Sequence, residues 1–388
     1  MPNDTLVDAE NKTHAAQDPP LRAQMPELDT LRGLAVLLVL FFHGFGFEFT
    51  TRGLSGVAKF LVAATLPGWM GVNLFFVLSG FLITGILLDS KWRTDYYRRF
   101  YYRRALRILP IYYAVLAVLA VLPRLGLIDR TASWGFLALC CIYLANFTIF
   151  FGVPMQYGVL WTLAIEEHFY LLWPALVRVL SRRRVSAAAT AIFVLCPVLR
   201  WMYVRLGWEM GDYTWLYADG LALGAVLAAL SRGPWGSRTG MWRTTVVLGS
   251  VSLVLFAGGF RYGIFLASRD AGLVLRHTAL NLFFGALISL ALLVGTSPWK
   301  ILVNRPLLQF FGSISYGVYL IHMLVFDLVD HATKAVRPAL TATSGHIGLI
   351  SLRFCLTAGI TVGIAYWSRW HFEEFFLKFK GGGMQGSK

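Results

Sequence analysis

Apolar residues run through this chain in long blocks, broken by short clusters of charge. A helix needs roughly 20 apolar residues to cross about 30 Å of hydrocarbon. Eleven stretches approach that length: residues 31–49, 69–88, 105–122, 134–151, 158–180, 187–204, 214–230, 244–266, 272–296, 308–330 and 347–370. The gaps between them are too short for a separate soluble domain. The pattern predicts an all-α, polytopic integral membrane protein whose membrane domain spans residues 27–376. Residues 1–26 are polar, contain Asp18-Pro19-Pro20, and lack the form of a secretory signal, so they read as a disordered tail. Residues 377–388 read as a second tail.

Composition agrees with the blocks: of 388 residues, 57% are hydrophobic and 14% charged, and mean hydropathy is +0.62. A soluble domain of this size must wet its surface and carries less apolar material. The formal net charge of +15 changes the picture only through its placement. Bases gather at Lys91, Arg93, Arg98, Arg99, Arg103, Arg104 and Arg107, then at Arg178 with Arg182–Arg184. Further ones follow at Arg232, Arg238 and Arg243, at Lys300 and Arg305, and at Lys378, Lys380 and Lys388. Basic loops stay in the cytoplasm, so both termini and all these loops are expected inside, in a multi-pass protein of the inner (plasma) membrane. Two cytoplasmic ends require an even number of crossings. Segment 134–151 is short, holds Asn146 and ends at Gly152-Val153-Pro154, so it is expected to be re-entrant or partly inserted, leaving ten transmembrane helices. Because the bases track alternate loops rather than one face, nucleic acid is not expected as a partner. Cys140, Cys141, Cys196 and Cys355 lie in apolar stretches without metal-ligand spacing and read as small buried hydrophobes; no metal site is expected.

Ionisable residues inside membrane segments are expensive, so each asks for a reason. Arg32 and His43 are eleven residues apart, which is three helical turns, and so share a face about 16 Å apart. They are expected to point into one cavity. Segment five carries Glu166-Glu167-His168, read either as a buried structural hydrogen bond or ion pair or as a carboxylate that orients or charges a catalytic imidazole. Ser315, Tyr319 and His322 follow one stripe of segment ten, either a polar helix seam or a direct participant. Asp219 reads as structural, with Arg200 or Arg205 as its partner. Ser79, in Gly71-Val72-Asn73-Leu74-Phe75-Phe76-Val77-Leu78-Ser79-Gly80-Phe81, reads as a packing or ligand-contact residue.

Taken together, five pieces resemble the acyltransferase family 3 of membrane O-acyltransferases, over most of residues 27–376. They are Leu28-Asp29-Thr30-Leu31-Arg32-Gly33 followed by His43; Gly71–Ile83; Arg104-Ala105-Leu106-Arg107-Ile108-Leu109-Pro110; Trp161–Leu171; and Ser315-Tyr316-Gly317-Val318-Tyr319-Leu320-Ile321-His322. The resemblance implies a ten-helix fold, a cytoplasmic acyl-coenzyme A donor (acetyl-CoA foremost) as co-substrate, no permanently bound cofactor, and a hydroxyl acceptor reached from the other side. It marks His43 and Arg32 as the catalytic pair, Arg104 and Arg107 as the donor motif, and Glu166 as the family glutamate. Arg103 and Ser79 are added as donor contacts, and His322 and Tyr319 as secondary candidates. Tyr217 stands where the family often has arginine. No SGNH-hydrolase-like domain follows residue 376, so transfer is expected to finish within the membrane domain.

The chemistry is consistent with this. Acyl transfer to an alcohol needs a base of near-neutral pKa, and imidazole suits it. Glu166 is expected to hold the His43 tautomer and stabilise its imidazolium, and guanidinium forks suit phosphate. An acyl-histidine intermediate stays open. The expected acceptor is a carbohydrate. Alternatives are a small secreted glycoside such as a macrolide antibiotic or, in a different class, a transporter or flippase without acyl chemistry.

Overall fold

The computed structural model describes residues 21–22, 24–46, 56–265, 269–335 and 337–379. Most of the amino-terminal tail, and Lys380 and Lys388, lie outside the described residues. All regular elements described are helical. The chain begins with α1 (Pro26–Phe41), which continues into a π-helical turn at Phe42–Gly46, then α2 (Gly56–Thr65), α3 (Gly71–Asp89) and α4 (Tyr96–Val121). Next come α5 (Trp134–Cys141), α6 (Leu160–Val179), α7 (Arg182–Leu206), the single turn α8 (Thr214–Tyr217) and α9 (Asp219–Ser231). The last are α10 (Arg238–Phe260), α11 (Asp270–Gly295), α12 (Pro306–Thr333), α13 (Arg337–Trp367), a π turn at Ser368–Glu373 and α14 (Glu374–Leu377).

Eight of the described helical segments are long and apolar enough to cross a bilayer, which makes the chain a multi-pass membrane protein. The expected ten are reached only if α6 and α9 also cross. α6 has 20 residues but spends apolarity on Glu166, Glu167 and His168, and α9 has only 13. Residues 134–151 form only the eight-residue α5 and a 3₁₀ turn at Ala145–Phe147. At 1.5 Å per residue neither approaches a full crossing.

Alternating helices bring the basic loops to one end. There Arg232 pairs with Asp89 through two 2.6 Å bonds, and Lys91 donates to the carbonyl of Leu180. Arg182 donates to the carbonyl of Ala229 at 3.0 Å, and Arg238 to Thr296 at 2.7 Å. The opposite end holds Arg130 with Asp327, 2.9 Å apart, and Asp129 with His331 and Lys334. Loops far apart in sequence thus share one surface, as helices that repeatedly traverse a slab require.

Two pairs of glycines set the interior. A Cβ at Gly33 would stand 1.9 Å from Leu308 O, and one at Gly312 would stand 2.1 Å from Asp29 O. Likewise Gly80 faces Leu221 O at 1.9 Å and Gly224 faces Val77 O at 2.1 Å. Backbones of α1 and α12, and of α3 and α9, therefore lie in direct contact, which small residues permit in membranes. At α7, Arg200 is fully buried and pairs with Asp219 at 2.8 Å. It also donates to Val274 O, Leu216 O and Thr278 Oγ1, and Thr278 in turn donates to Asp219. Arg200 is the partner of Asp219, and the tie holds α7, α9 and α11 together; removing one member of such a pair costs about 3–5 kcal/mol. Of the cysteines, Cys140 and Cys196 are buried, while Cys141 and Cys355 are exposed on the outside of the bundle, contrary to expectation.

Candidate active site

Two cavities lie end to end inside the bundle. Both are lined by Val72, Phe76, Thr162 and Tyr319, which form the partition between them. Thr162 donates its hydroxyl proton to Val159 O at 2.9 Å, so the 2.6 Å contact with Tyr319 must be donated by the tyrosine O–H.

The first cavity, about 180 Å³, carries Arg32, Arg104 and Arg107 on its wall, with Glu166 as its lining carboxylate. Arg104, Arg107 and Ile108 stand three and four apart on α4, so they share a stripe. The Arg104 guanidinium lies over the Tyr170 ring, 3.8 Å from its centroid, and the Tyr170 hydroxyl is hydrogen-bonded to Ser79. Arg32 pairs with Asp29 at 2.6 Å. Arg107 is exposed because it faces the cavity, and its charged neighbours are Arg32, Arg104, Glu373 and Arg369. On the lining itself three guanidinium groups face one carboxylate, an arrangement that suits an anionic ligand. Arg103 does not line this cavity. One position before Arg104, it is turned about 100° around the helix and faces Arg99, Arg93 and Asp95 instead.

The second cavity, about 350 Å³, is different. Its walls are aromatic (Phe42, Trp69, Trp161, Tyr217), and His43, Asn73, Arg130, Asp219 and His277 break them with polar atoms. Asn73 donates to Asn281 Oδ1 at 2.8 Å and lies 3.3 Å from His277 Nδ1. Arg276 sits over the Trp69 ring at 4.3 Å. Flat apolar faces beside fixed amide and imidazole groups suit a polyhydroxylated ring, which presents C–H faces and hydroxyl edges.

His43 belongs to the π turn that ends α1. Its Nδ1 lies 3.0 Å from Val39 O and 3.2 Å from Nε2 of His322 on α12, and His322 is buried. Three expectations change here. Arg32 and His43 share a helical face, but the partition assigns them to different cavities. Glu166 is not beside His43: its polar neighbours are Arg104, Tyr170, Ser79 and Arg32. The stripe on α12 is also divided: Ser315 lines the first cavity, Tyr319 stands in the partition, and His322 backs His43. Of the other polar residues of α6, His168 hydrogen-bonds Thr214 at 2.7 Å. Asn73, His277, Asn281 and Arg130 were not singled out from the sequence. His277, an ionisable residue inside an apolar segment, carried the signal that could have found them.

The family model of the acyltransferase domain matches residues 25–370. Among curated relatives, a peptidoglycan O-acetyltransferase of Listeria monocytogenes, OatA, is 34% identical over 41% of this chain and 25% of its own length. A putative peptidoglycan O-acetyltransferase of Bacillus subtilis, YrhL, is 28% identical over 92% of this chain and 55% of its own. The Staphylococcus aureus O-acetyltransferase OatA is 26% identical over 79% and 51%. The chain spans a quarter to about half the length of these relatives. No solved structure matches it significantly.

Proposed function

The chain belongs to the acyltransferase-domain family, and from that premise we propose that it moves an acyl group, acetyl foremost, from coenzyme A to a carbohydrate hydroxyl across the membrane. One observation carries the reading: an arginine-lined cavity and a histidine-containing aromatic cavity meet at a single partition. The donor's phosphates are taken by Arg104 and Arg107, with Arg32 beside them, because guanidinium forks match phosphate oxygens. Glu166 balances Arg104 within that cavity. Ser79 and Tyr170 hold the guanidinium in place from below. The thioester end reaches past Thr162 and Tyr319 towards His43. There the acceptor O–H gives its proton to the imidazole as the oxygen attacks the thioester carbonyl. The C–O bond forms, the C–S bond breaks, and the imidazolium returns its proton to the departing thiolate.

The acceptor lies in the second cavity, a carbohydrate by the match of aromatic walls to sugar faces; peptidoglycan, named for two of the relatives, is the first to try. The arginine-lined end is the cytoplasmic one, with both termini inside the plasma membrane, because the basic loops converge there. Reporters fused after residues 96, 183 and 237 are then internal, and those near 128 and 210 external. A transporter reading draws on the same end-to-end cavities, but such a protein consumes no thioester. The test is purified protein in proteoliposomes given acetyl-CoA and peptidoglycan, with thiol release and acetylated sugar followed together. Release that is acceptor-dependent and absent in His43→Ala supports transfer; uptake or exchange of either molecule without thiol release overturns it.

A further inference from the structure

We propose that His322 is a positioning residue that locks His43 into the tautomer whose basic nitrogen is Nε2. The proposal rests on the acyl-transfer reading and gives His322 the part that sequence reasoning assigned to Glu166.

The argument follows from which atoms can carry hydrogen. Backbone carbonyls only accept. His322 Nδ1 stands 3.1 Å from Val318 O, so a neutral His322 carries its proton there and turns a lone pair outward at Nε2. That lone pair is 3.2 Å from His43 Nδ1, which also lies 3.0 Å from Val39 O. With acceptors on both sides, His43 Nδ1 must hold the hydrogen. The opposite assignment would press two lone pairs together at Val318 or Val39 and leave a buried polar atom unsatisfied. The tautomer of an imidazole is set by the bond its other nitrogen makes, and here two successive bonds set it. Nε2 of His43 therefore carries the lone pair.

The fold supplies this arrangement at two levels. Gly33 and Gly312 bring α1 and α12 into backbone contact, which places the two rings with centroids 4.9 Å apart. His43 sits in the π turn at Phe42–Gly46, and its Nδ1 reaches back four residues to Val39 O just as His322 Nδ1 reaches Val318 O on α12. When His43 accepts a proton at Nε2, its Nδ1–H bond to His322 becomes charge-assisted and shortens. A neutral partner thus steadies the imidazolium in a place where a second ion would need desolvation.

Histidine nitrogen shifts of ¹⁵N-labelled protein in lipid nanodiscs read the tautomer directly, with signals assigned by His43→Gln and His322→Gln. The wild type is expected to show His43 protonated at Nδ1 and bare at Nε2. In His322→Leu the population moves towards Nε2–H, and acetyl transfer from acetyl-CoA to peptidoglycan falls about tenfold or more in kcat, with the donor KM unchanged. His322→Gln keeps most activity, since its amide offers N–H to Val318 and oxygen to His43. A wild-type His43 protonated at Nε2 overturns the proposal, and that measurement needs no variant to fold. Equal loss in the Gln and Leu variants with an unmoved tautomer also overturns it. If the Nδ1–H tautomer is found but no acetyl is transferred, the lock stands and the acyl-transfer reading fails.

Discussion

The first cavity sets Arg32, Arg104 and Arg107 around the lining carboxylate Glu166, while the second surrounds His43 and His277 with indole, phenol and amide groups. The second cavity's two charged wall residues, Arg130 and Asp219, are each ion-paired, with Asp327 and Arg200. The two cavities share four wall residues and little chemistry. A channel or carrier for a single solute would be expected to repeat the same groups along its length. Here each chamber suits a different molecule, an anion on one side and a neutral hydroxyl-bearing one on the other. What passes the partition at Thr162 and Tyr319 need be only the small group exchanged between them. The polarity also matches the ends of the molecule, since the arginines of the first cavity continue into the surface where the basic loops gather.

The sharpest way to break this contrast is at His43. His43→Gln is expected to lower acetyl transfer by about 10² to 10⁴-fold while the donor KM stays put; near wild-type turnover in reconstituted vesicles would remove the second cavity from the chemistry. Next come the arginines. Arg104→Ala and Arg107→Ala each lose a charge-assisted contact of about 1.5–3 kcal/mol, raising the donor KM roughly ten- to a hundredfold in steady-state kinetics. Arg103→Ala, which leaves the cavity intact, should leave that KM unchanged. A smaller effect is expected at Asn73→Ala, which removes the bond to Asn281 and the contact with His277. The acceptor KM should rise up to about tenfold with donor kinetics unaltered, and the reverse split would exchange the two cavities' roles.

The smallest effect concerns the end beyond the second cavity. Burial pushes the Asp212 carboxyl, in the loop before α8, up to about 6. A raised carboxyl binds its proton more tightly in the folded chain than in the unfolded one. That contribution to stability is fully present below the ordinary carboxylate range and is lost as pH rises through about 6. Melting followed between pH 4 and 7 should therefore show a decline that Asp212→Asn flattens; an unchanged slope would place the titration elsewhere.

Much of this organisation is written locally. The apolar blocks located the long helices, because crossing hydrocarbon imposes a length and a polarity that each segment must satisfy by itself. Segment 134–151 stood out as too weak to span for the same reason. Arg200 was a nameable partner for Asp219 because a buried carboxylate demands a cation and few were near in the chain. Arg104 and Arg107 could be paired because three residues apart on one helix means one face.

Partners across helices were another matter. From α6 alone, Glu166 was an eligible neighbour for His43, and only the packing of other helices against α6 shows that Arg104 from α4 and Ser79 from α3 surround it instead, beside Tyr170 of its own helix. His322 reaches His43 because Gly33 and Gly312 let α1 and α12 touch, a contact between residues 279 positions apart. The sequence by itself therefore determined the class of protein, the helices and the residue types able to do chemistry, since each follows from spacing along one chain. The tertiary structure decided which of those residues share a cavity, because side-chain hydrogen bonds act over about 3 Å, and only the packing of whole helices brings their atoms that close.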